Sequence, residues 1–154
     1  MPEKTLDHAL QLTLKYLDRR ERTTQEVQQF LEKSAIDSSL RPLVLMRLKE
    51  LNLVNDTRYA EIYIRSAADR GKGALYFQEK LAQKGITLEP SQIDQILAEL
   101  SGGVSVADQI RELVTEKYPG WEHDRAQRLR AIRAMVTRGF SEDDIRDFFP
   151  DLDD

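Results

Sequence analysis

The densest chemistry in this chain lies in "DRAQRLRAIRAMVTRG" (124–139), where residues 125–138 hold five arginines and no acid. Arg125 and Arg128 are three residues apart, as are Arg130 and Arg133, and residues at that spacing are neighbours on a helix surface. Guanidinium groups clustered in this way grip phosphates or carboxylates bidentately. Leu129, Ile132 and Val136 supply the apolar stripe expected to be buried, with the two arginine pairs on either side of it. A second cationic candidate is "DRGKG" (69–73), where Arg70 and Lys72 sit on a glycine-loosened turn. The alternative for the arginines is pairing with the acidic segment that follows, a solvated face between helices. The residues leave both open.

Other reactive types lead nowhere comparable. There is no cysteine, which excludes disulfides, thiolate metal sites and cysteine nucleophiles. His8 and His123 are far apart. "WEHD" (121–124) sets three potential ligands in a row, but consecutive residues point in different directions, and loop punctuation before an Asp124 helix cap explains them better. Asp143, Asp144 and Asp147 read as acids suited to a helix N-terminus rather than a cation site. "RGKGALYF" (70–77) lacks the spacing of a phosphate loop. Trp121 reads as a packing anchor, since one aromatic residue makes no stacking platform. Arg19, Arg20 and Arg22 read as a solvated helix end. No catalytic residue, metal site or cofactor site is expected.

The elements that position these residues are helices. Of 154 residues, 40% are hydrophobic and 32% charged, and the few glycines and prolines (7 and 5) favour helix. The start, "MPEKTLDHAL", has no signal-peptide run and no stretch could span a bilayer, so a cytoplasmic protein with no membrane partner is expected. The net charge of −4 argues against a general nucleic-acid coat. That charge is uneven: Glu142, Asp143, Asp144, Asp147, Asp151, Asp153 and Asp154 face a single base, Arg146, within residues 141–154.

Three segments share one helix ending: "LEKSAI" (31–36), "LAQKGI" (81–86) and "MVTRGF" (135–140). Such spacing is typical of helical repeats. Gly85 and Gly139 stand where a helix ends in a left-handed residue, and Ile86 or Phe140 then folds back on Leu81 or Met135. Ala35 takes that place in the first copy; alanine in this conformation costs roughly 1 kcal/mol, so a different ending is expected there. Asp37, Thr87 and Ser141 follow as candidate caps, the helix after Asp37 starting late, near Ser39, because of Pro42. Thr23 with Glu26, and more loosely Asp124 with Gln127, match capping boxes. Leading helices fall at about 6–20, 57–69 and 104–117. Closing helices carry Ile93, Ile96, Leu97 and Leu100, then Ile145, Phe148, Phe149 and Leu152. The expected fold is all-α: three tandem three-helix repeats (1–54, 55–102, 103–154) forming an elongated, curved stack.

Three tandem units carrying "RERTTQEVQQFL" (20–31), "LKELNLVNDTRYAEIYIRSAADRGKGALYFQEKLAQKGI" (48–86) and "TEKYPGWEHDRAQRLRAIRAMVTRGFSEDDI" (115–145) resemble the RecX regulatory proteins of bacteria, from about Ala9 to Phe149. "LNLVNDTRYAE" would then join the first two units, with Asn55 or Asp56 capping the next helix. The resemblance implies a non-enzymatic regulator that binds RecA filaments on single-stranded DNA and inhibits recombinase, ATPase and co-protease activity. It supplies no catalytic residues. Charge and exposure nominate Arg70, Lys72, Arg125, Arg128, Arg130 and Arg133 for contacts to RecA acids or to single-stranded DNA within the filament. The competing readings are a direct DNA-binding helical module and an α-helical scaffold for another protein. With no heptad seam, a monomer is expected.

Overall fold

The computed structural model describes residues 5–149, in which the regular structure is helical throughout. The order is α1 (Leu6–Leu17), α2 (Thr24–Lys33), α3 (Arg41–Glu50), α4 (Asp56–Ala67) with a 3₁₀ turn at Ala68–Arg70, α5 (Ala74–Gln83), α6 (Pro90–Leu100), α7 (Val106–Lys117), α8 (Arg125–Thr137) and α9 (Glu142–Phe148). Asp151, Leu152, Asp153 and Asp154, the acidic end and the last apolar position of the closing pattern, lie outside the described residues. Among the described residues no helix is long and apolar enough to cross a membrane. The chain forms two compact units, one of the described residues up to Glu61 with Gln83–Ile86, the other of Ile62–Ala82 and the described residues from Thr87 onward.

In the first unit, Ala9 of α1, Val27 and Leu31 of α2, and Val44 and Leu48 of α3 are buried together with Ile36 and Val54. The Thr23–Glu26 capping box is formed, each partner satisfying the other's backbone N–H (3.1 and 3.2 Å). The Arg19–Arg22 segment is more than a solvated end. Arg20 pairs with Glu26, and Arg22 stacks over the Tyr16 ring at 4.1 Å with its side chain only 14% exposed. Asn55 caps α4 by accepting from Arg58 N–H (3.0 Å), while the Asp56 carboxylate accepts from Thr24 N–H in the first turn of α2 (2.8 Å).

Helix endings account for the repeat. Ala35 takes the left-handed conformation after all (φ +56°), and Ile36 N–H reaches Leu31 O (3.1 Å) and Ala35 N–H reaches Glu32 O (3.2 Å). That is the full Schellman pattern. The burial of Ile36 and Leu31 offsets the conformational cost. Asn52 does the same at the end of α3 (φ +58°), with Leu53 N–H on Leu48 O, so a glycine-free stretch stops a helix within one residue. Two expected caps are different. Asp37 binds Ser39 N–H and Oγ in a tight turn, and α3 starts later at Arg41 without a side-chain cap. α6 starts after Glu89, not Thr87, because Gln92 reaches back to Glu89 N–H (2.9 Å).

In the second unit, Ile110 and Val114 of α7, Ala131 and Met135 of α8, and Ile145, Phe148 and Phe149 form one cluster, against which Trp121 packs (5.0 Å from Phe148, ring to ring). The buried stripe of α8 is therefore Ala131 and Met135. Leu129 and Val136, expected inside, are 42% and 60% exposed, and Ile132 is only half-buried. The ending decides this. Gly139 (φ +92°) turns the chain so that buried Phe140 donates its N–H to Met135 O, which commits Met135 to the inner face.

The glycine endings differ in a way that denaturation can resolve. A Cβ on Gly139 would lie 2.5 Å from Tyr76 N, whereas one on Gly102 (φ +75°) would meet nothing within 4 Å. Gly102→Ala should therefore cost about 1 kcal/mol of backbone strain and Gly139→Ala roughly 3 kcal/mol or more, as read by urea midpoints. Equal losses would remove the close-approach explanation.

Asp94 on α6 offers a second test. Burial, aided by the neighbouring Asp144 carboxylate, pushes its pKa up to about 6. A folded pKa above the unfolded one means stability present at low pH that is lost as pH rises from about 4 through about 6. After allowance for solvent screening, Asp94→Asn should stabilise the protein at pH 7 by on the order of 1 kcal/mol. The gain should vanish near pH 4 in pH-dependent unfolding.

Candidate functional site

The two cationic segments picked out in the sequence meet within the second unit. Arg70 and Lys72 from the turn before α5, with Arg130, Arg133 and Arg138 from α8, line one open cleft of about 600 Å³, together with Tyr118, Ala134 and Thr137. The convergence is built by backbone. Gly73 N–H donates to Arg138 O (2.8 Å) and Leu75 N–H to Gly139 O (2.9 Å), so the first turn of α5 is capped by the carbonyls of the two residues that follow α8. A Cβ on Gly73 would lie 2.6 Å from Gly139 C and O, so glycine is required for the approach. Gly71 is left-handed (φ +69°) and swings Lys72 toward the cleft, its Nζ 5.1 Å from the Tyr76 ring centre. Arg138 Nη1 donates to Arg70 O and Gly71 O (both 3.2 Å), pinning the turn from the α8 side.

The six candidate residues divide. Arg70, Lys72, Arg130 and Arg133 share the cleft. Arg125 is exposed but does not line it. Arg128 is occupied: its Nε donates to Trp121 O (3.1 Å) and its Nη2 to Glu122 O (2.8 Å), closing the loop that leads into α8. The capping box expected at this start is half formed. Asp124 accepts from Ala126 and Gln127 N–H, but the Gln127 side chain accepts from Gly120 N–H instead (2.9 Å). Arg138 was missed as a site residue. Its partners lie 67 and 68 residues away, a relation without any local signal.

Nor do the arginines pair with the acids that follow. Glu142 pairs with Arg146 on its own helix, and Asp144 lies beside Asp94; among the described residues no ion pair engages Arg125, Arg130 or Arg133. The cleft thus gathers positive charge on a chain of net charge −4. Such an arrangement attracts an anionic surface and offers it several donors at once.

Helices closed by tight capped turns, with a cationic cleft lined from the α5 turn and from α8, define an all-α protein. The comparisons with known proteins agree. A family model described as RecX, second three-helix domain, matches residues 55–89. The Regulatory protein RecX of Streptococcus pneumoniae serotype 19F (strain G54) is 35% identical over 143 residues, 92% of this chain and 54% of the relative. The chain spans about half the length of the curated relatives it matches. The crystal structure of RecX from Lactobacillus salivarius superposes with a TM-score of 0.73 at 25% identity, covering 96% of both chains. A second RecX crystal structure, at 23% identity, shares the fold with a TM-score of 0.70 over 95% of this chain and 71% of its own. The chain belongs to the RecX family of regulatory proteins.

The division among the arginines is measurable. Arg128→Ala should lower stability by about 1–2 kcal/mol by releasing the Trp121 and Glu122 carbonyls. Arg130→Ala should stay within about 0.5 kcal/mol. Thermal unfolding of the two variants side by side checks this, and similar values would mean that Arg128 is not holding the loop.

Proposed function

We propose that this protein is a regulator of the RecA recombinase, binding RecA filaments on single-stranded DNA and inhibiting strand exchange, ATP hydrolysis and co-protease activity. Membership of a family of regulatory proteins supports the general role. The observation that carries the specific one is the cationic cleft of Arg70, Lys72, Arg130, Arg133 and Arg138 on an otherwise acidic chain. A filament offers both carboxylates and phosphates, and a guanidinium cluster takes either. We take the modules as 1–54, 55–102 and 103–154, acting as one monomer in the cytoplasm without cofactor. Tandem modules then touch a repeating filament at several points, and weak contacts reinforce one another through effective concentration. Arg70, Lys72, Arg130 and Arg133 are the contact residues in this reading; Arg125 adds at most a peripheral charge and Arg128 acts through the fold.

The test is the rate of ATP hydrolysis by RecA on single-stranded DNA as the protein is titrated in. Inhibition is expected well below the RecA concentration, and the folded double variant Arg130→Ala/Arg133→Ala should need roughly tenfold more protein. No inhibition by folded wild-type protein would overturn the proposal. Salt-sensitive binding to DNA without RecA would then favour the DNA-binding module, and indifference to both would favour a scaffold for another protein.

A further inference from the structure

α8 carries a second, unoccupied face next to the cleft. Leu129, Ile132 and Val136 stand three and four residues apart, a single stripe along the helix. Packing uses the other side of α8, leaving Val136 60% exposed and Leu129 42% exposed. Ile132 and Val136 face a groove of about 490 Å³ whose other walls include Leu75 of α5, Phe140 and Ile145. Leu75 is itself 38% exposed. The groove thus sets exposed aliphatic side chains beside arginines that no described carboxylate pairs with, a surface with both an apolar and a cationic part.

The rim says what fits. Arg133 lies between the stripe and the cationic cleft, one residue from Ile132 and shared with the cleft lining. Arg125 continues the stripe at the N-terminal end of α8, and no described carboxylate pairs with either arginine. On the far rim Arg146 and Glu142 neutralise each other. A second copy of the chain is a poor occupant, because two-fold pairing of this face would set the same arginine row against itself. A nucleic acid would use the cations but leave the aliphatic groove unfilled, since its bases stack on flat rings and this groove has aliphatic walls at Leu75, Ile132 and Val136.

We propose that the α5–α8–α9 groove is a docking site for an amphipathic helical segment of a protein partner. Apolar residues of that segment at i, i+3, i+4 and i+7 fill the groove, and carboxylates along one flank meet Arg133 and the adjoining cleft. This deepens the regulatory reading in one respect: it makes the cleft's ligand a protein carboxylate rather than a phosphate.

The experiment needs no RecA, so its failure and that of the filament proposal are separable. A fluorescein-labelled amphipathic peptide with leucines at i, i+3, i+4 and i+7 and glutamates on one flank is titrated with the full chain. A lysine-flanked version and labelled oligo(dT) run in parallel. The glutamate peptide should bind, the lysine peptide should bind at least roughly tenfold more weakly, and Val136→Asp should weaken the glutamate peptide by a similar factor. Oligo(dT) binding should be unchanged by Val136→Asp. Val136→Asn replaces the aspartate variant if circular dichroism shows that variant unfolded. The proposal is overturned if the glutamate peptide does not bind, binds both variants equally, or is matched by the lysine peptide. It is also overturned if sedimentation shows a dimer that Val136→Asp dissociates, or if the substitution weakens oligo(dT) instead.

Discussion

The N-terminal turn of α5 rests on the C-terminal turn of α8, backbone against backbone, and the cationic cleft depends on that contact. The start of a helix brings N–H groups that its own helix cannot satisfy, and α5 is no exception. Gly73 and Leu75 donate to the carbonyls of Arg138 and Gly139, the two residues that follow α8, and so meet that need. The opposed helix dipoles also meet with favourable sign. The approach is so close that neither Gly73 nor Gly139 has room for a Cβ. From this contact follow the position of the Arg70–Lys72 turn, the inward commitment of Met135 and the outward orientation of Val136.

A cluster of like charges resists being brought together, and the protein supplies fixed dipoles around it. Arg138 gives its guanidinium to the carbonyls of Arg70 and Gly71. Lys72 and Lys80 lie over the face of Tyr76 at 5.1 and 5.7 Å, where the ring quadrupole favours a cation. Arg130 and Arg133 are left without such partners among the described residues, which leaves them available to an incoming anion. The acids of α9 are kept away from this cleft by local geometry: Ser141 caps the helix, Glu142 pairs one turn ahead with Arg146, and Asp144 faces Asp94. Availability here is a result of where the acids are tied down.

Helix endings also explain why a chain with few glycines can repeat one motif. Left-handed residues close α2, α3, α5, α6 and α8, yet two of these five endings use Ala35 and Asn52. Asparagine enters this region readily, while alanine does so at a cost that burial of the following Ile36 offsets. Buried Ile36, Ile86 and Phe140 anchor three of these endings, whereas Leu53 after Asn52 is 38% exposed, and at Gly139 the close approach of Tyr76 requires glycine as well.

Most of the helices were legible because their determinants are local. The Thr23–Glu26 box, the Ser141 cap, the Gly139 ending and the apolar residues of the closing helices act over three or four positions, which a linear reading can see. The exceptions were also local but contested: Asp37 spent its carboxylate on Ser39, and Gln92 made Glu89 a better start than Thr87. The tertiary structure alone decided which of two possible stripes on α8 turned inward, because Ala131 and Met135 are smaller or less conspicuous than Leu129, Ile132 and Val136 until Phe140 is folded against the core. It alone joined the Arg70–Lys72 turn to Arg130 and Arg133, and it drew Arg128 into a loop. Those relations depend on backbone groups some sixty residues apart meeting at a glycine contact, and hydrophobic periodicity carries no record of such a meeting.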